Sequence, residues 1–236
     1  MSIVSSTIPT PTIEQLRAAR VAFEANEPRN LFYRAATELI DLAFRGATKL
    51  TVAEALAVLL QTWNAMFYRY RGGFTADHFG DIECLLVDHR DALSLFRARS
   101  IEQYRAEDQP KVEQIFNAFE VVLGPVGSAK CLHLLAPQFF PIWDRRIAQS
   151  YRAALKVGGG NGSQYTKFMS LTQRQVSEIG GQQAIGRNPL KALDEYNYCR
   201  YTKRWPLTTT TESPVLDQGL TNASSGFGGQ SLAGSS

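Results

Sequence analysis

The sequence has few cysteines, and their spacing does not fit a metal site or a redox pair. Cys84, Cys131 and Cys199 lie far apart and form no CxxC. An odd number of scattered cysteines argues against a disulfide framework and against a zinc or iron–sulfur site. We therefore predict reduced thiols in a cytoplasmic protein that uses no metal and no other cofactor.

Other familiar signals are also missing from the sequence. The amino terminus lacks the basic and apolar regions of a signal peptide, and no apolar run approaches the roughly 18 residues that span a bilayer, so no membrane association is expected. There is no HExxH, Walker loop, GxSxG or dinucleotide fingerprint. The net charge of +3 only permits a nucleic-acid partner.

The apolar residues that are present follow a helical period almost throughout. Thr12 with Gln15, and Thr51 with Glu54, have the spacing of capping boxes, and Pro110 suits the first turn of a helix. Further helices are predicted over 51–71, 81–96, 163–179 and 189–205, and no period-two alternation predicts a strand. The sequence therefore predicts an all-α, two-lobed helical bundle.

The composition divides the chain into two parts. Residues 1–206 have the apolar content of a globular domain, whereas residues 207–236 are rich in Ser, Thr and Gly and contain no Lys or Arg. Such a segment cannot bury enough apolar surface to offset its ordering entropy. We predict a disordered tail at 207–236.

One acid stands alone in a basic stretch. Between positions 124 and 156, Asp144 is the only carboxylate, against five bases, for a local charge of +4 (five minus one). Those bases are Lys130, Arg145, Arg146, Arg152 and Lys156. Asp144 is either a placed catalytic group or an N-cap for a helix starting at Arg145, and a cap position could serve both roles.

Upstream of this acid, "GPVG" (124–127) predicts a tight turn between a helix ending at Leu123 and a helix starting at Ser128. The amides of Gly127, Ser128 and Ala129 would then be unpaired and suited to phosphate, and Gly127 is expected to need positive φ or close approach. Lys130 and His133 would share the outer face of the second helix. A plain corner between two helices is the alternative.

Together, "LGPVGSAK" and "FPIWDRRI" resemble the helix-hairpin-helix (HhH-GPD type) DNA glycosylase superfamily. The resemblance rests on Leu123, Val126 and Gly127 in the turn, and on Phe140, Pro141, Asp144 and Ile147 downstream. It implies a helix-hairpin-helix motif on double-stranded DNA, with Asp144 as the catalytic carboxylate. The implied DNA contacts are Gly124, Val126, Gly127, Ser128, Lys130, Arg145 and Arg146.

The resemblance also implies the reaction. Such an enzyme flips a modified base out of the duplex and hydrolyses its N-glycosidic bond, and a carboxylate stabilises the positive charge that develops on the sugar. Members that also cut the strand carry a lysine where this chain has Ala129, so a monofunctional enzyme is expected. We also expect a monomer. Base-excision repair and antiviral defence are both within the superfamily, and the glycine-rich breaks at 158–162 and 180–189 would suit a roomy pocket for a bulky base such as a glucosylated phage cytosine.

The residues that could hold a flipped base are Trp63, Asn64, Tyr68 and Trp143, with Trp63 the weakest choice because it lies within the apolar stripe of its helix. Two other functions fit the same sequence. A non-catalytic helix-hairpin-helix DNA-binding module would keep the turn and the bases without needing Asp144. A helical protein-interaction domain would use the turn only as a corner.

Overall fold

A computed structural model describes residues 8–71 and 73–207 and contains eleven α-helices over those residues. They are α1 (Ile13–Asn26), α2 (Asn30–Phe44), α3 (Val52–Trp63), α4 (Ala65–Arg71), α5 (Ala76–Asp88), α6 (Arg90–Arg97), α7 (Gln109–Leu135), α8 (Arg145–Ser150), α9 (Gly162–Ile179), α10 (Gly181–Ile185) and α11 (Pro189–Asn197). Short 3-10 turns lie at Ile101–Gln103 and Ala106–Asp108, and a π turn at Tyr198–Lys203 follows α11. No strand occurs in the described ranges, so the all-α prediction is confirmed.

The two capping boxes form as the sequence predicts. The Thr12 hydroxyl accepts from the Gln15 amide and the Gln15 side chain accepts from the Thr12 amide; Thr51 and Glu54 repeat the arrangement. Each pair satisfies two backbone donors that a helix start leaves free. These motifs explain why α1 and α3 begin where they do.

Two helices predicted to be continuous are broken. The predicted helix 51–71 is interrupted at Asn64, and the predicted helix 81–96 at His89, where the backbone leaves helical geometry (φ −112° and −114°). Both side chains are polar and both are buried. The apolar stripe continues past each break, which is why periodicity alone did not show it.

The tight turn predicted at 124–127 does not form, so that prediction is wrong. Only Gly124 leaves helical geometry, with φ 68° and ψ 167°, and the chain resumes its helix at Pro125 rather than at Ser128. Glycine adopts such a conformation readily, and proline suits the first helical position that follows. The turn is reduced to a one-residue break within α7, and the helix-hairpin-helix motif is not confirmed.

Helix α7 contributes many residues to one continuous hydrophobic core of the described residues, and the expected division into two lobes stays a prediction. Ile115, Phe116 and Phe119 are completely buried. The segment Ala106–Leu135 is long and apolar enough to cross a membrane by length and composition, but 67% of its most apolar window is buried inside the protein. A core helix has the same properties.

The first glycine-rich break, 158–162, is tied to α7. The Asn161 amide donates to Glu120 Oε2 at 2.8 Å, and the Gly162 amide donates to Asn117 Oδ1 at 2.8 Å. A side chain at Gly162 would collide with the Glu113 carbonyl oxygen at 2.7 Å. This segment therefore packs against the long helix, and neither glycine-rich break lines the cavity that contains Asp144.

The last part of the chain departs from the sequence prediction at Tyr198. The predicted helix 189–205 is α-helical only as far as Asn197 and continues as the π turn. Trp205 and Leu207 pack partly buried against the core, so the ordered part extends one residue past the predicted boundary at 206. The rest of the predicted tail, 208–236, lies outside the described residues.

Candidate functional site

Asp144 caps helix α8, and both of its carboxylate oxygens accept hydrogen bonds. Oδ1 accepts from the Ile147 amide at 2.8 Å, which is the N-cap bond that the sequence predicts. Oδ2 accepts from the Thr202 hydroxyl at 2.5 Å. A carboxylate that accepts two hydrogen bonds of this kind is held in a defined orientation.

Asp144 also lines a cavity of about 180 Å³, here called the Asp144 cavity. Its walls come from α1, α2, α3, α7, α8 and α11, and they combine aromatic rings with charged groups of both signs. The aromatic members are Phe23, Tyr33, Trp63, Trp143 and Tyr198, and the charged members are Glu27, Arg29, Lys130, Asp144, Lys191 and Asp194. A mostly apolar cavity with a few converging polar groups is the usual form of a small-molecule site.

Lys130 points into this cavity. Its Nζ donates to the Trp63 carbonyl oxygen at 2.6 Å and lies 4.7 Å from the centre of the Trp63 ring. Burial lowers the pKa of Lys130 to about 8, although the charges of Asp194 and Asp144 oppose this shift. The prediction that Lys130 lies on an outer face towards phosphate is therefore wrong, because this part of α7 is buried on nearly all sides and has no such face.

Glu27 and Arg29 form the rim of the cavity next to α2. The Arg29 guanidinium donates to both oxygens of the Glu27 carboxylate at 2.7 Å, and the Tyr198 hydroxyl donates to Oε2 at 2.6 Å. Burial alone would raise the pKa of Glu27, but these hydrogen bonds outweigh it and bring the pKa to about 2. The carboxylate stays ionised and fixed.

Lys191 and Asp194 contribute the wall from α11. The Lys191 ammonium donates to Asp194 Oδ2 at 2.8 Å and lies 4.5 Å from the ring centres of both Phe23 and Tyr33. Both charged side chains are buried. A buried charge pair of this kind orders the rings that surround it, and removing one partner would leave the other uncompensated.

His133 is buried behind the cavity, contrary to the prediction that it shares an outer face with Lys130. Its Nδ1 lies 2.8 Å from the Phe140 carbonyl oxygen and its Nε2 lies 3.0 Å from the Tyr33 hydroxyl. Since a carbonyl oxygen can only accept, Nδ1 carries the proton and Nε2 accepts from Tyr33. Burial lowers the pKa of His133 to about 3.

A second, more open cavity of about 490 Å³ lies next to the first, and it is called the Gly127 cavity here. The two share Arg29, Trp63, Val126 and Lys130 as a common wall. Arg145, which is exposed, lines the second cavity. The two cavities together form a continuous concave region beside the break at Gly124.

Asn64 belongs to the second cavity rather than to the first. Its side-chain nitrogen Nδ2 is buried and has no hydrogen-bond partner among the described residues. The nitrogen would lie 2.7 Å from a Cβ placed on Gly127. A buried donor without a partner is rare in folded proteins, so it is available to an acceptor on a ligand.

The structure corrects the roles predicted for Gly127 and Ser128. Gly127 has ordinary helical geometry, and positive φ occurs at Gly124 instead. Ser128 is completely buried, and its hydroxyl donates to the Gly124 carbonyl oxygen at 2.8 Å. Ser128 therefore has no accessible group for phosphate, whereas Gly124, Val126 and Gly127 line the second cavity.

The four predicted base-pocket residues separate in the structure. Trp63, the weakest choice from the sequence, lines both cavities and packs edge-on against Tyr33 at 5.4 Å. Tyr68 is wrong as a pocket residue: it is buried in another aromatic cluster, where its hydroxyl lies 3.0 Å from His78 Nε2, and it lines neither cavity.

Trp143 lines the Asp144 cavity but has no exposed surface. Its ring packs against Phe116, Tyr165 and Phe168 at centroid distances of 5.1–5.6 Å, and its N–H donates to the Pro125 carbonyl oxygen at 3.0 Å. These contacts make Trp143 a fixed part of the wall. That it stacks on a base stays a prediction.

The two arginines after Asp144 are exposed and differ in their partners. Arg146 donates from Nη1 to the Thr202 carbonyl oxygen at 2.8 Å, which joins the start of α8 to the π turn. Arg145 faces the second cavity. Both remain available in part for phosphate groups.

Several cavity residues were not identified from the sequence. These are Phe23, Glu27, Arg29, Asn30, Tyr33, Lys191, Asp194 and Tyr198. Thr202, which bonds to Asp144 without lining the cavity, was not identified either. Helix α2 was not predicted at all, and the Lys191–Asp194 pair has the i, i+3 spacing of an ordinary surface ion pair. The one available signal was an acid and a base at helical spacing in a segment that is otherwise apolar and aromatic.

Comparison with protein-family models, with curated proteins and with solved structures found no match for this chain. The functional conclusions therefore rest on the geometry of the two cavities.

Proposed function

We propose that this protein is a DNA glycosylase that flips a modified base out of double-stranded DNA and hydrolyses its N-glycosidic bond. The observation that carries the proposal is that Asp144, a fixed carboxylate, and Lys130, a partly buried amine, line one cavity with aromatic walls. The Asp144 cavity lies next to the open Gly127 cavity, which Arg29 and Arg145 line, and this position supports the same function. We propose further that the enzyme is a monomer and acts in the cytoplasm, either in DNA repair or in antiviral defence.

Asp144 would supply the electrostatic part of catalysis. As the base leaves, positive charge builds up on the deoxyribose, and a nearby carboxylate stabilises it or orients the attacking water. The hydrogen bonds from Ile147 and Thr202 hold the carboxylate in one place within the cavity wall. The monofunctional reaction, which leaves an abasic site, needs no further group.

The cavity favours a flat base of ordinary size. Its volume of about 180 Å³ is below the roughly 300–1,000 Å³ of sites that enclose drug-sized ligands. The rings of Trp63 and Tyr33, both partly buried, line the cavity and are the surfaces on which a flipped base could stack. The bulky glucosylated base considered from the sequence would have to extend into the neighbouring Gly127 cavity.

DNA backbone contacts are proposed for the Gly127 cavity. Arg29 and Arg145 would neutralise phosphates there, and the free Asn64 Nδ2 would donate to a phosphate or base oxygen. The amides of Val126 and Gly127, at the start of the second half of α7, would add donors. These contacts would position the duplex without reading its sequence.

The test is the substitution Asp144→Asn, assayed for base release on a panel of damaged and phage-modified DNAs, with abasic sites revealed by alkali. Asn is itself a good N-cap, so the fold should persist while the negative charge is lost. Base release should fall by about 10²- to 10⁴-fold, with DNA affinity equal to or above that of the wild type. Asp77→Asn, in the first turn of α5, is the matched control and should have no effect.

Two results would argue against this mechanism. An Asp144→Asn protein that folds, binds DNA and still releases base at the wild-type rate would exclude the carboxylate role. A wild type that binds DNA and releases no base from any substrate would favour the non-catalytic DNA-binding module instead.

A lyase step at Lys130 is a second candidate, favoured by the placement of its amine in the same cavity as Asp144. With a pKa of about 8, a sizeable fraction of Lys130 is the neutral, nucleophilic amine near pH 7.5. If Lys130 attacks the sugar, borohydride should trap a protein–DNA adduct whose yield rises with pH through 8. The adduct should be absent in Lys130→Met, and a wild type that traps nothing while releasing base would establish the monofunctional reaction.

A further inference from the structure

We propose that Thr202 is a positioning residue for the reaction, so that the C-terminal π turn is part of the active site. This inference rests on the proposed function of Asp144. It concerns a residue 58 positions further along the chain, to which no sequence signal pointed. Its contribution would be to hold the carboxylate in one orientation.

The two hydrogen bonds of Asp144 have different purposes. The bond from the Ile147 amide to Oδ1 is the one that any N-cap aspartate makes, and it starts α8. The bond from the Thr202 hydroxyl to Oδ2 contributes nothing to capping. Because the terminal torsion of an aspartate is broad, one hydrogen bond leaves the carboxylate plane free to rotate, and the second one fixes it.

The π turn that carries Thr202 is itself anchored. The Thr202 carbonyl oxygen accepts from Arg146 Nη1 at 2.8 Å, so Thr202 contacts α8 through both its backbone and its side chain. Cys199, in the same turn, is completely buried. Just before the turn, Asn197 Oδ1 accepts from the Tyr151 hydroxyl at 3.0 Å.

The geometry of the turn also points to a functional constraint. Runs of π-helix are rare, and the single turns in which they mostly occur are frequent at functional sites. The wider turn changes the direction of Thr202 relative to a continued α-helix. If the chain continued as an ordinary α-helix, the side chain at position 202 would not approach Asp144 from the same direction.

The experiment compares Thr202→Val, which keeps the shape and removes the hydroxyl, with Thr202→Ser, which keeps the hydroxyl. Single-turnover base release, DNA affinity and melting temperature are measured for each. Thr202→Val should release base about 10- to 100-fold more slowly, with DNA affinity and melting temperature close to the wild type, and Thr202→Ser should recover most of the rate. Thr166→Val, which removes a buried hydroxyl bonded to the Ser163 carbonyl oxygen, is the control and should keep the full rate.

A double substitution separates positioning from support of the fold. If Thr202 acts through the carboxylate, adding Thr202→Val to Asp144→Asn should cause no further loss of rate. Full activity in Thr202→Val, failure of Thr202→Ser to recover the rate, or an additive loss in the double variant would each overturn the inference and leave the glycosylase proposal standing. A wild type that releases no base would instead remove both proposals.

Discussion

Glycine is needed at positions 124 and 127 for different reasons. Gly124 has φ 68°, a conformation that side chains disfavour, and it marks the break in α7. Gly127 is helical, and the limit there is space, because a Cβ would lie 2.7 Å from Asn64 Nδ2. The two glycines therefore allow α7 first to break and then to pack closely against the end of α3.

Substitution of Gly127 by Ala should lower stability through this close contact. The added methyl group must displace the Asn64 side chain, and such overpacking typically costs about 1–3 kcal/mol of the free energy of unfolding. Gly80→Ala is the control, since Gly80 lies in α5 with nothing within 4 Å, and Ala there should stabilise by about 0.5–1 kcal/mol. Urea unfolding measures both; equal effects of the two substitutions would contradict the packing account.

The sequence predicted single residues well where the cause was local. The N-cap of Asp144 follows from a short polar side chain before a helix, and it is confirmed. The direction of Lys130 was wrong, because the prediction assumed that the second half of α7 has an outer face. That part of the helix is buried on nearly all sides, and the elements that cover it come from elsewhere in the chain.

Helix α7 is joined to α2 and to the Phe139–Phe140 segment through His133. The imidazole bridges the Tyr33 hydroxyl and the Phe140 carbonyl oxygen while neutral. Protonation would place a charge in a fully buried site and would leave Tyr33 facing a donor. The link between these elements is therefore sensitive to acid.

This sensitivity can be measured. The unfolded chain binds a proton at His133 below about pH 6.5, while the folded protein does so only near pH 3, so the unfolded state holds more protons between these values. Stability should therefore fall as the pH falls through this window, by about 1.4 kcal/mol per unit from this residue.

His133→Gln, which removes the titrating group, should be less stable than the wild type at pH 7, with a difference that narrows as the pH drops. Urea unfolding of both proteins at pH 7, 5.5 and 4 tests this. A difference that stays constant with pH would show that His133 does not control the acid response.

The helix starts that carry a capping box or a proline in the first turn were predictable, and helix interruptions were not. The capping boxes at Thr12 and Thr51 and the proline at 110 act within one turn, so they are readable from neighbouring residues. The breaks at Asn64 and His89 depend on what packs around each buried polar side chain. That information comes from other elements.

At the scale of the whole molecule, charge is divided between a buried set and an exposed set. Lys130 and Lys191 lie inside the protein, where partners compensate them. Arg145 and Arg146 are exposed at the mouth of the site. Exposed cations replace the counterions of DNA, so these two arginines and the exposed Arg29 should contribute to salt-dependent binding, whereas the two lysines should not.

DNA binding should therefore weaken as the salt concentration rises, and single substitutions should change this salt dependence selectively. Arg145→Gln should reduce the slope of log affinity against log salt by about 0.9, the value for one phosphate contact on duplex DNA. Lys130→Met and the remote control Arg174→Gln should leave the slope unchanged. Titrations over a salt series measure this; a slope that drops for Lys130→Met would mean that the lysine reaches a phosphate after all.

The fold class was predictable from periodicity, but the Asp144 cavity was not. Its walls bring together residues from Phe23 to Tyr198, and long-range assembly of this kind leaves no spacing in the sequence. The basic stretch around Asp144 was visible because it is local. The acidic and aromatic residues on the opposite wall of the cavity were not visible in the sequence.

The contact between Asp144 and the π turn couples the site to a short segment that lies outside the long central helix. Proteins open locally before they unfold globally, and short segments open more readily than core helices. Opening of Tyr198–Lys203 would break the Thr202 bonds and release the carboxylate while the core around α7 stays intact. Catalysis should therefore decline on heating several degrees before the melting transition, and hydrogen exchange should show the turn losing protection first.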